Sequence, residues 1–592
     1  LLSQDLAVTE LVVIEDRPRG ETPQQNRRPP HLLAGIGLPA FLLGATGLFP
    51  LMVCWLPGSF GVNGFGPTGS RPLQIYSPAC RILGFQMLAI RFLGELLTAQ
   101  NIRKEHRYSI ADLTPYFIPS GEREMNNSTQ LNAQDFRRKG RKKERRKQMN
   151  VPTPPSTRDD NLAERRRLDF ILIAVTAGAV LGLILLARPF YGANDVSRWA
   201  TIYSLAERGT YKIDETPWST TDKVRLNGHY YSEKPPLLPT LLAGEYLLLK
   251  KLSFGRLSFR SSPQSVVRVI VASINLVPLV IFLGLFSRLL DRLAPDPWIR
   301  AYAMAAAGLG TFLTGFSMTL NNHTITAFSS FFALYPAFLI WCEGKRGGRL
   351  FAAAGFFAGF AAVNDYPALA FLVALGAGLA WKARRQTLIW FLPFALLPLA
   401  GHFWTNYLVT GGLLPAYMHW EAFVFPGSYW SIDPISGHGV GRSGIDKIYE
   451  PWPVYLFHML VGHHGILSLS PIFVFTLMGV WSSLRSRGSP LRAFAALAAF
   501  LTLVLLVFYT FFAGNRSYGG QCCGLRFFFW LIPLWLMLLP EGLRGKTTHR
   551  WFRGMALAFL LISAISVFYC AHNPWSRPWI HEYLHYMQWI DY

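Results

Sequence analysis

The chain has 592 residues, 51% of them hydrophobic and 15% charged, with a mean hydropathy of +0.25 and a formal net charge of +23. Soluble domains carry about 25% charged residues, so this composition excludes an ordinary water-soluble protein. The positive charge does not mark a nucleic-acid binder in the body of the chain, because beyond residue 167 the Lys and Arg fall in short clusters between apolar runs, as in the cytoplasmic loops of membrane proteins.

Residues 1–148 show no periodicity and end in a basic run over residues 137–147. Such a run reads as a disordered tail or a lipid-binding patch. Met149 opens a polar leader, residues 149–167, that ends in Arg165-Arg166-Arg167 before a first apolar span. The expectation is that the native protein begins at or near Met149, with residues 1–148 a poorly structured, dispensable or non-native extension. Amino-terminal sequencing of the native protein tests this. Residues 32–56, and more weakly 82–97, are apolar enough to add two crossings without changing the later topology.

From residue 168 apolar runs recur, many about 17–24 residues long, enough to cross a hydrocarbon core of about 30 Å. Hydrocarbon leaves backbone groups no partner but one another, so these runs are predicted helices. In chain order they are 168–187, 266–290, 301–320, 324–342, 351–363, 368–381, 388–409, 466–484, 493–512, 527–539 and 555–570. Residues 237–249 are too short to span; they lie between Pro235-Pro236 and Lys250-Lys251 and read as an interfacial helix. With that segment at the interface, the clusters at Arg288/Arg292/Arg300, Lys345/Arg346/Arg349, Lys382/Arg384/Arg385, Arg485/Arg487/Arg492 and Arg544/Lys546/Arg550/Arg553 all face the cytoplasm. The predicted fold is thus an all-α integral membrane domain, residues 168–571, with about eleven transmembrane helices. Its long outer loops are 188–265 and 410–463, and residues 572–592 form an outer-face aromatic tail.

This threading gathers the unusual polar residues on the outer face. Asp195 follows the first span and precedes a helical pattern over 196–208, where it can cap the helix. Asn227-Gly228 marks a tight turn, and Lys234, held extended before two prolines, can meet a phosphate at the membrane surface. Asn321-Asn322-His323 can hydrogen-bond a sugar or phosphate, whereas Asn364-Asp365-Tyr366-Pro367 reads as a turn capping the next span. The loop 410–463 places His419, Glu421, Tyr429, Trp430, Asp433, His438, Arg442, Asp446 and Glu450 together, aromatics beside carboxylates as a carbohydrate cleft needs. Arg526 follows Gly524-Leu525 and can approach a charged headgroup closely. No CxxC pair occurs among the six Cys, and Cys522-Cys523 reads as two small apolar residues. His419, His463 and His464 lack a ligand spacing such as HExxH, so no metal site is expected.

The order of first span, outer Asp195, interfacial helix, Lys234-Pro235-Pro236-Leu237 and second interfacial helix resembles the GT-C superfamily of membrane glycosyltransferases. The resemblance is nearest to the branch with aminoarabinose transferase and the protein mannosyltransferases, over roughly residues 168–541. It implies that Asp195 matches the family's acidic motif, with Asn194 at its second position, and that Lys234, Arg526 and Arg268 bind the donor phosphate. Asn194, Tyr231, Asn322, His323, His419 and Glu421 are then the candidate substrate-binding residues. Many members carry a further outer-loop acid where this chain has Asn321-Asn322-His323, so a divalent metal lacks its second carboxylate here.

The function so implied is transfer of a sugar from a polyprenyl-phosphate donor to a glycan, lipid or protein acceptor hydroxyl. It would run with inversion at the outer face of a bacterial inner membrane, in cell-envelope glycan biosynthesis, with Asp195 as general base. One competing reading is a transporter or lipid-linked glycan flippase, against which stand the near absence of ionisable residues mid-span and the lack of an internal repeat. A second is a non-catalytic polysaccharide assembly subunit.

Overall fold

The computed structural model describes residues 157–187, 190, 192–429, 448, 450–513 and 516–591. The chain divides into two compact units, residues 1–167 and 168–592. Nearly all of the first unit, with the basic run, Met149 and the two early apolar stretches, lies outside the described residues. So do Trp430, Asp433, His438, Arg442 and Asp446 of the long loop.

Among the described residues the second unit is built of helices, with one two-stranded hairpin. Helix α1 spans Thr157–Leu186, and α2, Ala193–Arg208, follows it. Gly209 ends α2 in the left-handed conformation (φ 69°), donating its N–H to the Leu205 carbonyl as in an αL stop, while Thr210 donates to Ser204. The strands β1, Lys223–Leu226, and β2, His229–Ser232, pair antiparallel around Asn227 (φ 50°) and Gly228 (φ 80°), the paired positive angles of a tight hairpin turn. Helix α3, Leu237–Leu252, buries Leu238, Leu242 and Tyr246 and exposes Leu241, Leu248 and Leu252 beside Lys250-Lys251. An apolar exposed face with terminal lysines suits the boundary between water and lipid.

Among the described residues, seven helical stretches are long and apolar enough to cross a membrane: Arg166–Leu186, Pro263–Leu293 (α4), Asn322–Cys342 (α7), Tyr366–Thr410, Arg492–Phe512 (α14), Arg526–Leu543 (α15) and Arg550–Cys570 (α16). The sequence led to eleven. Part of the difference is the stretch Tyr366–Thr410, whose 45 residues hold α9, Leu369–Gln386, kinked at Ala383 (φ −158°, ψ 70°) near its end, then a π-helical turn, Thr387–Phe391, and α10, Leu392–Thr410. A Cβ on Gly376 would lie 3.0 Å from the Phe391 ring, fifteen residues on, so the chain doubles back and contributes two legs. The predicted span 301–320 is two pieces, α5 (Pro297–Leu309) and α6 (Phe312–Phe316), and 466–484 is likewise α12 (Ile466–Leu469) and α13 (Phe473–Arg485). Segment 351–363 is a single helix, α8, Gly348–Asn364, of 17 residues. Two short helices complete the unit: α11, Trp452–Leu460, and α17, Trp579–Tyr586.

Glycines set the tightest helix pairs. A Cβ on Gly355 or Gly359 of α8 would sit 2.1 Å from the Phe391 carbonyl oxygen or 2.5 Å from that of Ala395. On α13 and α15, a Cβ on Gly479 or Gly542 would meet the Leu538 or Phe475 carbonyl oxygen at 2.0 or 1.9 Å. Small residues four apart are the usual device for bringing membrane helices to backbone contact.

At the other end of the bundle Arg300 is buried against α1 and α4. Its Nε donates to Asp169 Oδ2 at 2.9 Å and its NH1 to Asp291 Oδ1 at 2.7 Å, and Ser287 Oγ also donates to Asp169 Oδ2. Arg300 and Asp169 are each only 3% exposed at the side chain. Removing one partner leaves a buried charge, which costs about 3–5 kcal/mol. Arg300→Met is therefore expected to lower the unfolding temperature markedly in detergent, and the double change with Asp169→Asn to recover most of the loss. A single variant that melts with the wild type would refute the clamp.

Candidate functional site

A cavity of about 1280 Å³ opens where α2, the residues after the hairpin, the starts of α7 and α9 and the entry to α15 meet. Its polar end is lined by Asn194, Arg198, Glu233, Lys234, Asn322, His323, Asp365 and Arg526. Its other end runs between α9 and α14, lined by Leu369, Val373, Ala374, Phe500, Val504 and Phe508. A second cavity of about 280 Å³ shares Ala374 and Phe500 and extends the same trough toward Ala493 and Leu379. Along α14 the trough covers about fifteen residues, or about 22 Å at 1.5 Å per residue.

Local structure explains how the polar residues converge. The first turn of α2 is held by Asp195, whose Oδ1 accepts the N–H groups of Gly192 (2.9 Å) and Val196 (3.0 Å) and whose Oδ2 accepts Thr319 Oγ1 (3.3 Å). This aligns Asn194 and Arg198, one turn apart, toward the same partners. Arg198 NH1 donates to Asn194, and its NH2 donates to Asn322 Oδ1 at 2.6 Å. The hairpin is tied to α2 through Ser197 Oγ, which contacts Ser232 Oγ (2.6 Å) and donates to the Asp222 carbonyl (2.5 Å). That delivers Glu233 and Lys234 to the cavity before Pro235 and Pro236 start α3. Lys234 Nζ is paired with Glu233 and, at 2.9 Å, with Asp222.

The far wall comes from α7. Asn321 caps this helix, its side chain accepting Thr324 N–H at 2.9 Å. Asn275 lies in a π-helical turn of α4, donates to the Thr319 carbonyl (2.9 Å) and accepts Thr324 Oγ1 (2.8 Å), fixing the 319–324 bend. Asn322 Nδ2 donates to the Asn364 carbonyl at 2.8 Å, and His323 Nδ1 pairs with Asp365 Oδ2 at 2.9 Å. Asp365 heads the tight turn Tyr366–Ala368 that leads into α9, its carbonyl accepting the Ala368 N–H at 2.9 Å, while its carboxylate makes no capping bond and turns to His323. Arg526 lies over the Trp575 ring, 5.0 Å from its centroid, and its buried Nε has no hydrogen-bond partner among the described residues.

The electrostatics favour an anion. Burial, and next the nearby Arg526 guanidinium, pull Arg198 down to about 10, so it stays charged at neutral pH. Burial pushes the Glu233 carboxyl above the usual carboxylate range, with Lys234 opposing and Asp222 adding to the shift. Two guanidinium groups and an ammonium thus line one end of a mostly apolar cavity. Phosphate oxygens match that donor set.

Of the residues singled out in the sequence, Asn194, Lys234, Asn322, His323 and Arg526 line this cavity. Asp195 does not: it is 1% exposed and braces the first turn of α2. Arg268 lies near the end of a helical stretch, Pro263–Val271, away from the lining, with its Nε buried and unpartnered. Tyr231 packs with Val224, Ala416 and Ala422, where the hairpin meets the loop 416–423. His419 and Glu421 belong to that loop and also stay outside the lining. Arg198 and Glu233 escaped selection, although Arg198 stands four residues after Asn194 and Glu233 directly precedes Lys234.

A carboxylate-held metal does not fit this cavity. Glu233 is paired with Lys234, Asp365 with His323, and Asp195 is engaged with backbone and Thr319, while three cations share the space.

No protein-family model matches the chain, and no curated protein matches it. Among solved structures it is similar to ArnT from Cupriavidus metallidurans in the apo state, at 16% identity and a TM-score of 0.44, covering 69% of this chain and 77% of that one. It is also similar to the Archaeoglobus fulgidus oligosaccharyltransferase in complex with zinc and sulfate, at 13% identity and a TM-score of 0.34, covering 69% of this chain and 53% of the other.

Proposed function

We propose that the chain is a membrane glycosyltransferase of the GT-C kind that moves a sugar from a polyprenyl-phosphate donor to an acceptor hydroxyl at the outer face of a bacterial plasma membrane. One observation carries the reading: a single cavity joins a cluster of three cations to an apolar trough between membrane helices. A lipid phosphate has those two chemistries in that order.

In this reading the isoprenoid chain lies between α9 and α14, and the phosphate meets Lys234, Arg526 and Arg198. The acceptor oxygen loses its proton to a base and attacks the anomeric carbon from the face opposite the phosphate. The bond from that carbon to the phosphate oxygen breaks, and the lipid phosphate leaves with the electron pair, giving inversion. The three cations stabilise the charge that grows on the phosphate. Glu233 is the base rather than Asp195, because Glu233 lines the cavity and a carboxyl raised by burial is better matched to proton removal near neutral pH. Asp195 becomes a positioning residue that aims Asn194 and Arg198. Asn322 and the His323–Asp365 pair are left to hold sugar or acceptor hydroxyls.

The experiment is donor turnover in proteoliposomes, with a panel of radiolabelled polyprenyl-phosphate sugars and mixed acceptors. Donor-dependent release of polyprenyl phosphate supports transfer. Transbilayer movement of intact donor without release would instead favour a flippase. Ala374→Trp, which fills the trough, is expected to raise KM for long-chain donors at least tenfold while sparing a short-chain donor. Equal effects on both would refute the placement of the lipid.

A further inference from the structure

We propose that Glu450, His458 and His463 bind a transition-metal ion of the zinc class, at a site separate from the cavity. Each residue offers one ligand atom, and the three atoms lie within 4.8 Å of one another. None of the three lines the cavity. They come from the end of the long loop, from α11 and from the turn after it, all within fourteen residues of chain.

The chemistry of the surroundings fits a zinc-class ion. Zinc takes imidazole nitrogen and carboxylate oxygen at about 2.0–2.2 Å, which sets ligand atoms about 3.3–3.5 Å apart in a tetrahedron. Ligand atoms as much as 4.8 Å apart would therefore close by about 1.4 Å around an ion. His458 and His463 stack with ring centroids 3.9 Å apart, which suits neutral rings and disfavours two imidazolium ions. Orienting partners are in place, as ligand sets require: Tyr518 donates its hydroxyl to the Glu450 carboxylate, and Nδ1 of His463 faces Nδ1 of His464. His464 is fully buried, and among the described residues its Nε2 has no hydrogen-bond partner.

The ion would act on the active cavity through Tyr518. The next residue, Gly519, packs so closely on Arg526 that a Cβ there would lie 3.2 Å from Arg526 Cγ. Locking Glu450 and Tyr518 therefore sets the segment that carries Arg526. The three ligands are positioning residues in this account, with no part in bond making.

The test is zinc content of the full chain, purified from detergent with a tag free of histidine and then loaded with Zn²⁺ and desalted. Wild type and His323→Ala are expected to retain one zinc per chain, and Glu450→Gln, His458→Gln and His463→Ala to lose it. A chelator should lower the unfolding temperature of wild type reversibly. If the variants fail to fold, chelation and reloading of wild type decides alone. Wild type that holds only trace zinc and ignores the chelator would overturn the site, as would zinc retained by the folded variants or lost in His323→Ala. These readouts do not depend on turnover, so failure here leaves the glycosyltransferase reading standing, and the reverse.

Discussion

Replacing Arg526 with Met is expected to cut turnover of a polyprenyl-phosphate donor by about a hundred- to a thousandfold, the usual loss when one preorganised donor to a developing oxyanion is removed. The side chain is suited to that role by its isolation. Its Nε is buried without a partner among the described residues, its guanidinium rests on Trp575, and it lies close enough to Arg198 to lower that group. Arg526 lowers Arg198 although Asp222, Asp195 and Glu233 oppose the shift, and an anion arriving between the two guanidinium groups eases that repulsion. Because the phosphate gains charge as the glycosidic bond breaks, the loss should fall on kcat more than on KM. Arg526→Lys should recover only part, since an ammonium lacks the planar fork that grips two phosphate oxygens. The check is steady-state kinetics at matched folded protein. An Arg526→Met variant within threefold of wild type would remove Arg526 from the phosphate site.

The second large effect is expected at Glu233. As general base it must be ionised, so activity rises with pH through its folded-state pKa and is lost below it. Burial is the first cause of the upward shift, so this limb should lie above the ordinary carboxylate range. Glu233→Gln should abolish turnover and, in any residue of activity, the limb itself. Asp195→Asn keeps an oxygen to accept the Gly192 and Val196 N–H groups, so it should retain measurable turnover with the limb unmoved. The reverse pattern, a dead Asp195→Asn beside an active Glu233→Gln, would return the base to Asp195.

Much of the architecture is legible because hydrocarbon imposes it. Long apolar runs must be helices, and the basic cluster Lys382/Arg384/Arg385 foretold the kink at Ala383 where 366–410 folds into two legs. Interruptions inside a run are another matter. Hydropathy does not register that the chain bends at Gly310-Thr311, where a Cβ on Gly310 would sit 3.0 Å from the Ala306 carbonyl, or that Pro471 splits 466–484.

The site shows the same division. Lys234 was readable from its two prolines, and Asn227-Gly228 from its turn chemistry. Asp365 was not, because its partner His323 is 42 residues away and the local pattern looks like a cap. Asp195 was readable as an important carboxylate, yet only the folded chain separates a group that braces α2 from one that lines the cavity. Glu450, His458 and His463 fall within fourteen residues, with His458 and His463 five apart, but only the folded chain shows that the turn after α11 brings their ligand atoms within 4.8 Å of one another.

The central claim is that one cavity holds both the phosphate and the isoprenoid of a lipid donor. The most direct measurement is a cryo-electron microscopy map of the protein in nanodiscs with polyprenyl phosphate. The account predicts a phosphate peak among Arg198, Lys234 and Arg526, with the chain running between α9 and α14 past Val373 and Phe500. Lipid bound elsewhere at saturating concentration, with that cavity filled only by solvent, would contradict it.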